Sequence, residues 1–415
     1  MSQPETTLTV VIPAYNEEGA IEQIIQRCLV AKEGLLAETD LEEVEVIVVS
    51  DGSTDQTVPL AQPYADRGEI RLIAYVPNAG YGAALKLGFK EGQGGLVSFL
   101  DADGTCDPVA LGALTNSVLR DGHDVACGCR MNPRSKMPAV RKLGNWIFCR
   151  IINFLAQAKL RDSASGMRVI RRSSLEKLYP LPDGLHFTPA MSCRAMLDDR
   201  IKLSEIDIDY EERIGRSKLN VVTDGLRFLR VILDTGLTYR PFRLFGPAAF
   251  GLFLLALGLG LSIAWSKWGS PSHAHLPRWY LIRMLTSLTA ASGALSLATL
   301  GLVAERIAVL VQEHQPREGL LHRLLLPLLG NERITWVGLL LVLAALVLNI
   351  GTAREWITTG HIRIDLWWSY ITTGAFCAVT GFQLASCGIL VRVIKLLEAR
   401  QRSPELVEVR SEQAS

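Results

Sequence analysis

The sequence predicts a mainly parallel α/β domain followed by an all-α membrane domain. Three observations lead there. Short apolar runs alternate with helix-periodic segments through the N-terminal part. Polar clusters close those runs, always at the C-terminal end. Four uncharged stretches then follow, each about as long as a bilayer is thick. The 415 residues are 49% hydrophobic and 20% charged, and these averages conceal that division. A net charge of +1 gives no reason to expect a polyanionic partner.

The elements are justified in order. LTVVI (8–12) is a short apolar strand ending at PAYNE. A helix follows, with Ile21, Ile24, Ile25, Cys28 and Leu29 on one face at i, i+3, i+4, i+7, i+8. VEVIVV (44–49) is a second strand, closed by SDGSTD. IRLIAYV (70–76) is a third, leading into PNAGYGAALKLGF. GLVSFL (95–100) is a fourth, ending at DADGT, and DVACGC (124–129) is a fifth. Repeated βα units argue for a parallel sheet covered by helices. Ligands of such sheets bind beyond the C-terminal strand ends, where these polar clusters sit.

The uncharged stretches are 244–264, 284–304, 334–353 and 366–391. Each reaches the roughly 20 residues needed to cross about 30 Å of hydrocarbon. Trp265, Trp268, Trp279, Trp336, Trp367 and Trp368 lie at their ends, as an interfacial aromatic belt would. Arg227, Arg230, Arg240 and Arg243 precede the first stretch. Arg306, Arg317, Arg323 and Arg333 lie between the second and third, and Arg392, Lys395, Arg400 and Arg402 follow the last. The other two connections are less basic, with Lys267 and Arg278, and Arg354 and Arg363. The positive-inside rule therefore places both termini and the α/β domain in the cytoplasm. The expected division is 1–230 for that domain, 231–398 for the membrane domain and 399–415 for a cytoplasmic tail. No charge falls mid-span, so an anchor is expected rather than an ion path. The start, MSQPETTLTVVIPAY, lacks a basic n-region and is broken by Pro13, so no cleaved signal is expected. The eight cysteines form no CxxC pair and read as reduced thiols.

FLDADGTCDP (99–108) brings Asp101, Asp103 and Asp107 close together. Residues two apart at a strand end project to one side, so Asp101 and Asp103 can share a target. Mg²⁺ accepts one or two carboxylates plus substrate phosphates. No His or Cys cluster suggests zinc. The pattern fits Mg²⁺ or Mn²⁺ held between carboxylates and a nucleotide diphosphate; the plainer alternative is a polar turn without metal.

Taken together, VVIPAYNEE (10–18), SDGSTDQT (50–57), NAGYGAALKLGF (78–89), DADGTCDP (101–108), MPAVRKLGN (137–145), DSASGMRVIRRS (162–173) and YEERIGRSKL (210–219) resemble glycosyltransferase family 2. More narrowly, they resemble its polyprenyl-phosphate glycosyltransferases. The resemblance spans about residues 8–230 and implies the GT-A fold, a Rossmann-like domain with a mainly parallel sheet. It implies that Pro13, Tyr15, Glu17 and Asp51 hold the nucleoside. It implies that Asp101, Ala102 and Asp103 flank the diphosphate, with the metal on Asp103 and Thr105. Arg130, Arg213 and Lys218 would neutralise phosphates, and Asp101, Asp103 and Arg130 would carry catalysis. Two departures matter: Ser50 stands where many members have an acid, and Thr105 where dolichol-phosphate mannose synthases often have Gln.

The implied reaction moves one sugar from a UDP- or GDP-hexose to dolichyl or undecaprenyl phosphate, with inversion. A phosphate monoester is largely dianionic at neutral pH, its second pKa being about 6, so it is a nucleophile without a general base. The segment 130–155 supplies Arg130, Arg134, Lys136, Arg141, Lys142 and Arg150, and then Trp146, Ile147, Ile151 and Phe154 near helical spacing. It reads as an interfacial amphipathic helix, or else an ordinary solvated basic one. Arg141, and by resemblance Ser165 and Arg168 within 163–168, would face the acceptor phosphate. No QxxRW motif of the processive polysaccharide synthases is present. A polysaccharide-synthase-like enzyme and an inactive membrane assembly subunit are the alternatives. The expected partners are a nucleotide sugar, a polyprenyl phosphate and the membrane, with no nucleic acid; self-association is left open.

Overall fold

The computed structural model describes residues 5–215, 218–268, 278–312, 333–361 and 364–401. Two compact units divide the chain, Met1–Gly236 and Leu237–Ser415. Arg317, Arg323, Arg363, Arg402 and the tail beyond 401 lie outside the described residues, as do the side chains of Lys267, Trp268, Arg278, Trp367 and Arg400.

The first unit is built on a seven-stranded sheet in the order β3-β2-β1-β4-β6-β5-β7. Its strands are β1 (Thr7–Ala14), β2 (Glu43–Asp51), β3 (Arg71–Tyr75), β4 (Leu96–Phe99), β5 (Val125–Cys129), β6 (Arg168–Arg171) and β7 (Leu203–Asp207). The expected mainly parallel Rossmann-like sheet is present, and all five expected strands are in it. β6 runs antiparallel between β4 and β5, and β7 lies parallel to β5. Neither was expected, because β6 has only four residues and both of its end positions are arginines, lying inside the DSASGMRVIRRS motif.

β1 is an interior strand with all eight residues buried, which is why its VVIPA run is continuously apolar rather than alternating. Successive side chains still point to opposite faces. Val10 and Ile12 pack under α1 (Ile21–Glu38) with Ile21, Ile24, Ile25 and Cys28. Val11 packs on the other face with Phe89, Phe99 and Phe187, whose ring centroids lie 6.0–6.4 Å apart. Each such fully buried side chain contributes about 1.5–3 kcal/mol. These two layers hold the strand ends of β1, β2 and β4 rigidly side by side.

The remaining helices of this unit are α2 (Thr57–Asp66), α3 (Tyr81–Glu91), α4 (Leu111–Leu119), α5 (Ala139–Ala156), α6 (Arg172–Leu178) and α7 (Phe187–Leu197). α8 (Val221–Tyr239) runs across the boundary between the units.

In the second unit, α9 (Pro241–Trp268), α10 (Arg278–Gln312), α11 (Ile334–Thr359) and α12 (Ile364–Gln401) are each long and apolar enough to cross a membrane. α11 and α12 meet along Gly374, Gly381 and Gly388, spaced by seven so that they share one face. A Cβ on Gly381 would lie 2.6 Å from the Gly338 carbonyl oxygen, so the backbones touch directly.

Candidate active site

The loops after β1 and β2 are laced together. The Asn16 side-chain oxygen accepts from the Thr54 amide at 2.8 Å, and the Asn16 and Glu17 amides donate to Ser53 and Thr57. Ser50, which stands in place of an acid, bonds Ser53 at 2.9 Å and belongs to this lacing. Asp51 closes β2 and is buried. Its Oδ2 accepts from Asn78 Nδ2 and the Gly80 amide, both at 2.9 Å, and its Oδ1 from the Ala79 amide at 2.7 Å. Gly80 is required there: its φ is +107°, and a Cβ would sit 2.5 Å from the Asp183 carbonyl oxygen.

Beyond these strand ends lies a cavity of about 460 Å³. Pro13, Tyr15, Glu17, Asp51, Asp101, Ala102 and Asp103 line it. Arg130, Arg141, Arg213 and Lys218 line it from other segments. Eleven of the fourteen residues singled out in the sequence thus meet in one place. The other three are buried and do not line the cavity: Thr105, Ser165 and Arg168.

The acidic centre is organised by cations. Asp103 accepts at Oδ1 from the Thr105 hydroxyl at 2.6 Å and at Oδ2 from Arg213 at 2.9 Å. The second arm of Arg213 donates to Glu17 at 2.6 Å, and Lys218 donates to the same Glu17 oxygen at 2.8 Å. Thr105, expected on the metal, is buried and bonds Asp103, outside the residues that line the cavity. Asp101 accepts from the Tyr81 hydroxyl at 2.8 Å. Burial, and then the neighbouring Asp103 carboxylate, pushes the Asp101 carboxyl up to about 7. Gly166 lies against it, and a Cβ there would come within 2.1 Å of Asp101 Oδ2.

Arg130 closes β5 and makes a buried bidentate pair with Asp162 at 2.8 and 2.9 Å. Burial alone would raise the Asp162 carboxyl, but Arg130 overrides it and holds it below the usual carboxylate range. The Arg130 guanidinium also lies 5.5 Å from the Tyr210 ring centre, and the Tyr210 hydroxyl accepts from Arg141 at 3.4 Å.

Arg168 was expected to face the acceptor. Instead it begins β6, is fully buried, and donates to the Ser163, Ser165 and Thr188 carbonyls and the Ser192 hydroxyl. Its strand places it beneath the 163–166 loop, whose Ala164 and Gly166 reach the cavity. Sequence reasoning assigned no role to Tyr81, Asn145 or Tyr210. Tyr81 and Tyr210 lay inside motifs that had been singled out. Asn145, which accepts from the Ser163 amide and hydroxyl at 3.0 and 2.8 Å, ends the RKLGN run. The 32-residue separation of Arg130 and Asp162 left no local signal.

The donor set suits a hard divalent cation. Asp101, Asp103 and Glu17 offer only oxygen, and the nearby cations suit phosphates. Among the described residues, no three His, Cys, Asp or Glu side chains stand close enough to hold a metal alone. One or two carboxylates with phosphate oxygens completing the shell is the arrangement that Mg²⁺ accepts.

Residues 9–179 match the family model for Glycosyl transferase family 2, and residues 241–405 match a domain of unknown function, DUF8752. The low-salt glycan biosynthesis hexosyltransferase Agl6 of Haloferax volcanii is 33% identical over 63% of this chain and 60% of its own. A dolichyl-phosphate beta-glucosyltransferase of Drosophila melanogaster is 32% identical over 42% of this chain and 58% of its own. An undecaprenyl-phosphate 4-deoxy-4-formamido-L-arabinose transferase of Pseudomonas paraeruginosa is 29% identical over 63% of this chain and 77% of its own. The chain spans about three-fifths of the length of the first two relatives.

Proposed function

We propose that the chain, whose residues 9–179 match the family model for Glycosyl transferase family 2, transfers one sugar from a nucleotide diphosphate sugar to a polyprenyl phosphate at the cytoplasmic face of a membrane. One observation carries this reading. The cavity that gathers Asp101, Asp103, Arg130 and Arg213 is also lined by Val140, Phe148, Val221 and Phe228 of α5 and α8. A lipid phosphate needs both in one place, cations for its head and an apolar wall for its first isoprene units.

The donor end lies at Pro13, Tyr15 and Asp51. An ionised carboxylate offers about four lone-pair sites, and the 78–80 loop uses three of those on Asp51. The carboxylate lines the cavity beside the Tyr75 hydroxyl, and its remaining acceptor capacity suits a nucleobase N–H. Asp101 and Asp103 would hold Mg²⁺ or Mn²⁺ together with the diphosphate. Bound there, the metal supplies Lewis-acid stabilisation of the departing diphosphate. Arg213 and Lys218 are placed to exchange Glu17 for diphosphate oxygens when the donor enters. Arg130 and Arg141 orient the acceptor phosphate, whose oxygen is the nucleophile. That oxygen forms the bond to the sugar's anomeric carbon as the bond to the nucleotide diphosphate breaks, and no base is needed. Positioning and charge complementarity supply the catalysis.

α5 and α8 fit the surface of a bilayer. α5 exposes Leu143, Trp146, Ile147 and Phe154 while burying Asn145, Cys149, Ile152 and Leu155. α8 exposes Val221, Val222 and Leu226 beside Arg227 and Arg230. Such faces lie in the headgroup region, where basic residues meet anionic lipid.

The test is direct. Full-length protein in detergent is given polyprenyl phosphate, Mg²⁺ or Mn²⁺, and a panel of labelled UDP- and GDP-sugars. Label entering an organic-extractable lipid from one donor, lost with EDTA and restored by metal, supports the reading. A folded protein that labels lipid from no donor refutes it.

A further inference from the structure

Tyr210 belongs to no element of regular structure, yet it joins three parts of the cavity wall. Its backbone pairs with Cys106, just after the Asp101–Asp103 turn, and its carbonyl accepts from the Lys136 amide at 2.8 Å. The next residue, Glu211, donates to the Thr105 carbonyl at 2.8 Å, and Ile214 to that of Asp103 at 3.1 Å. The backbone is thus fixed from both sides, and the side chain, only 5% exposed, has one place to go.

There it meets two arginines. Its ring face lies 5.5 Å from the Arg130 guanidinium carbon, within cation–π range. Its hydroxyl oxygen accepts from Arg141 Nη1 at 3.4 Å. Arg130 follows β5 and Arg141 lies in the first turn of α5, and Tyr210 touches both. Arg130 is already neutralised by Asp162 through two of its nitrogens. A hydroxyl that accepts from Arg141 keeps its own proton, and Tyr210 lines the cavity. That proton can be donated to an anion standing between the two guanidinium groups.

We propose that Tyr210 belongs to the acceptor-phosphate subsite, setting the spacing of Arg130 and Arg141 with its ring and donating its hydroxyl proton to a phosphate oxygen. The inference rests on the transferase reading above and adds to it a neutral donor that the charged residues require. A guanidinium pair alone would bind any dianion of the right size. A fixed hydroxyl between them favours a phosphate monoester in one orientation, with one oxygen left free to attack.

The experiment uses full-length protein in detergent with two variants, Tyr210→Phe and Tyr210→Leu, and two readouts. The first is binding of farnesyl phosphate, which needs no knowledge of the sugar. The second is KM for each substrate once a donor is found. Tyr210→Phe should weaken farnesyl phosphate binding and raise the acceptor KM about tenfold, the loss expected of one hydrogen bond to a charged group. Its donor KM should stay within about twofold. Tyr210→Leu should weaken acceptor binding further, because the ring's hold on Arg130 is lost as well. Unchanged farnesyl phosphate binding in Tyr210→Phe overturns the inference. So does an equal rise in both KM values with a lowered melting temperature, since that marks a merely structural residue. A wild-type protein that transfers no sugar, but whose binding of farnesyl phosphate is weakened by Tyr210→Phe, sinks the transferase reading and leaves this subsite standing.

Discussion

Arg130 and Asp162 face each other through two parallel hydrogen bonds of 2.8 and 2.9 Å, with the Asp162 side chain wholly withdrawn from solvent. A third bond, from the Arg130 amide at 2.9 Å, fixes the carboxylate to the end of β5. The pair therefore aims Arg130 at the cavity as much as it stabilises the fold.

Removing one partner of a buried pair leaves the other charge uncompensated, which costs about 3–5 kcal/mol. Asp162→Asn should lower the melting temperature accordingly at pH 7. The pH dependence has a definite sign. Asp162 titrates below its ordinary 3.8 in the folded protein, so its stabilisation is complete above that value and is lost as pH falls through the lower, folded one. The gap between wild type and Asp162→Asn should be flat from about pH 5 to 8 and shrink only in stronger acid. A gap that closes near pH 6 would refute the pairing.

Arg213 spans Asp103 and Glu17 at 2.9 and 2.6 Å. With donor bound, its charge is to serve the diphosphate instead. Arg213→Gln should lower kcat/KM for the nucleotide sugar by about 10²–10³, the usual worth of one preorganised electrostatic donor. Asp103→Asn should lose turnover altogether, and its melting temperature should fall only in part, because the amide oxygen can keep Thr105 and Glu17 still pairs with Arg213, although the amide nitrogen now faces that arginine. Full activity in Asp103→Asn would remove that carboxylate from the chemistry.

Much of this site was legible because its parts close strands that lie side by side in the sheet. PAYNE, SDGSTD and DADGT follow β1, β2 and β4, and a parallel sheet carries all three to one edge. The α1 stripe was equally plain: Ile21, Ile24, Ile25 and Cys28 are buried as their spacing requires. What escaped was set by contacts remote in sequence. Arg168 looked like a loop cation, but β6 pairs between β4 and β5 and draws it under the loop it seemed to serve. Thr105 turned inward because Asp103, two residues away, was the nearest acceptor. Tyr210 drew no notice because a tyrosine carries no charge to flag it.

Gly166 should not tolerate a side chain. Its Cβ would lie 2.1 Å from Asp101 Oδ2, and Asp101 is itself held by Tyr81 at 2.8 Å. Gly166→Ala must displace one or the other. A misplacement of about 1 Å near reacting groups costs on the order of 10²-fold in rate. The expected result is a comparable fall in kcat with the fold retained; wild-type kcat would show that the loop can retreat without harm.

The last prediction concerns the exposed apolar face of α5. Leu143 and Trp146 are 59% and 49% exposed, and the Arg150 guanidinium lies 5.1 Å from the Trp146 ring. In water this would be an ordinary surface, and exchanging these residues for polar ones would move stability by no more than about 0.5 kcal/mol. On the proposed reading, the same face lies in the bilayer surface and orders the helix that carries Arg141. The double variant Leu143→Gln, Trp146→Gln should therefore keep its melting temperature and its donor KM in detergent. In vesicles containing anionic lipid, its acceptor KM should rise several-fold over wild type. If wild type and variant behave alike in vesicles, α5 is a solvated helix and the membrane reaches the cavity by another route.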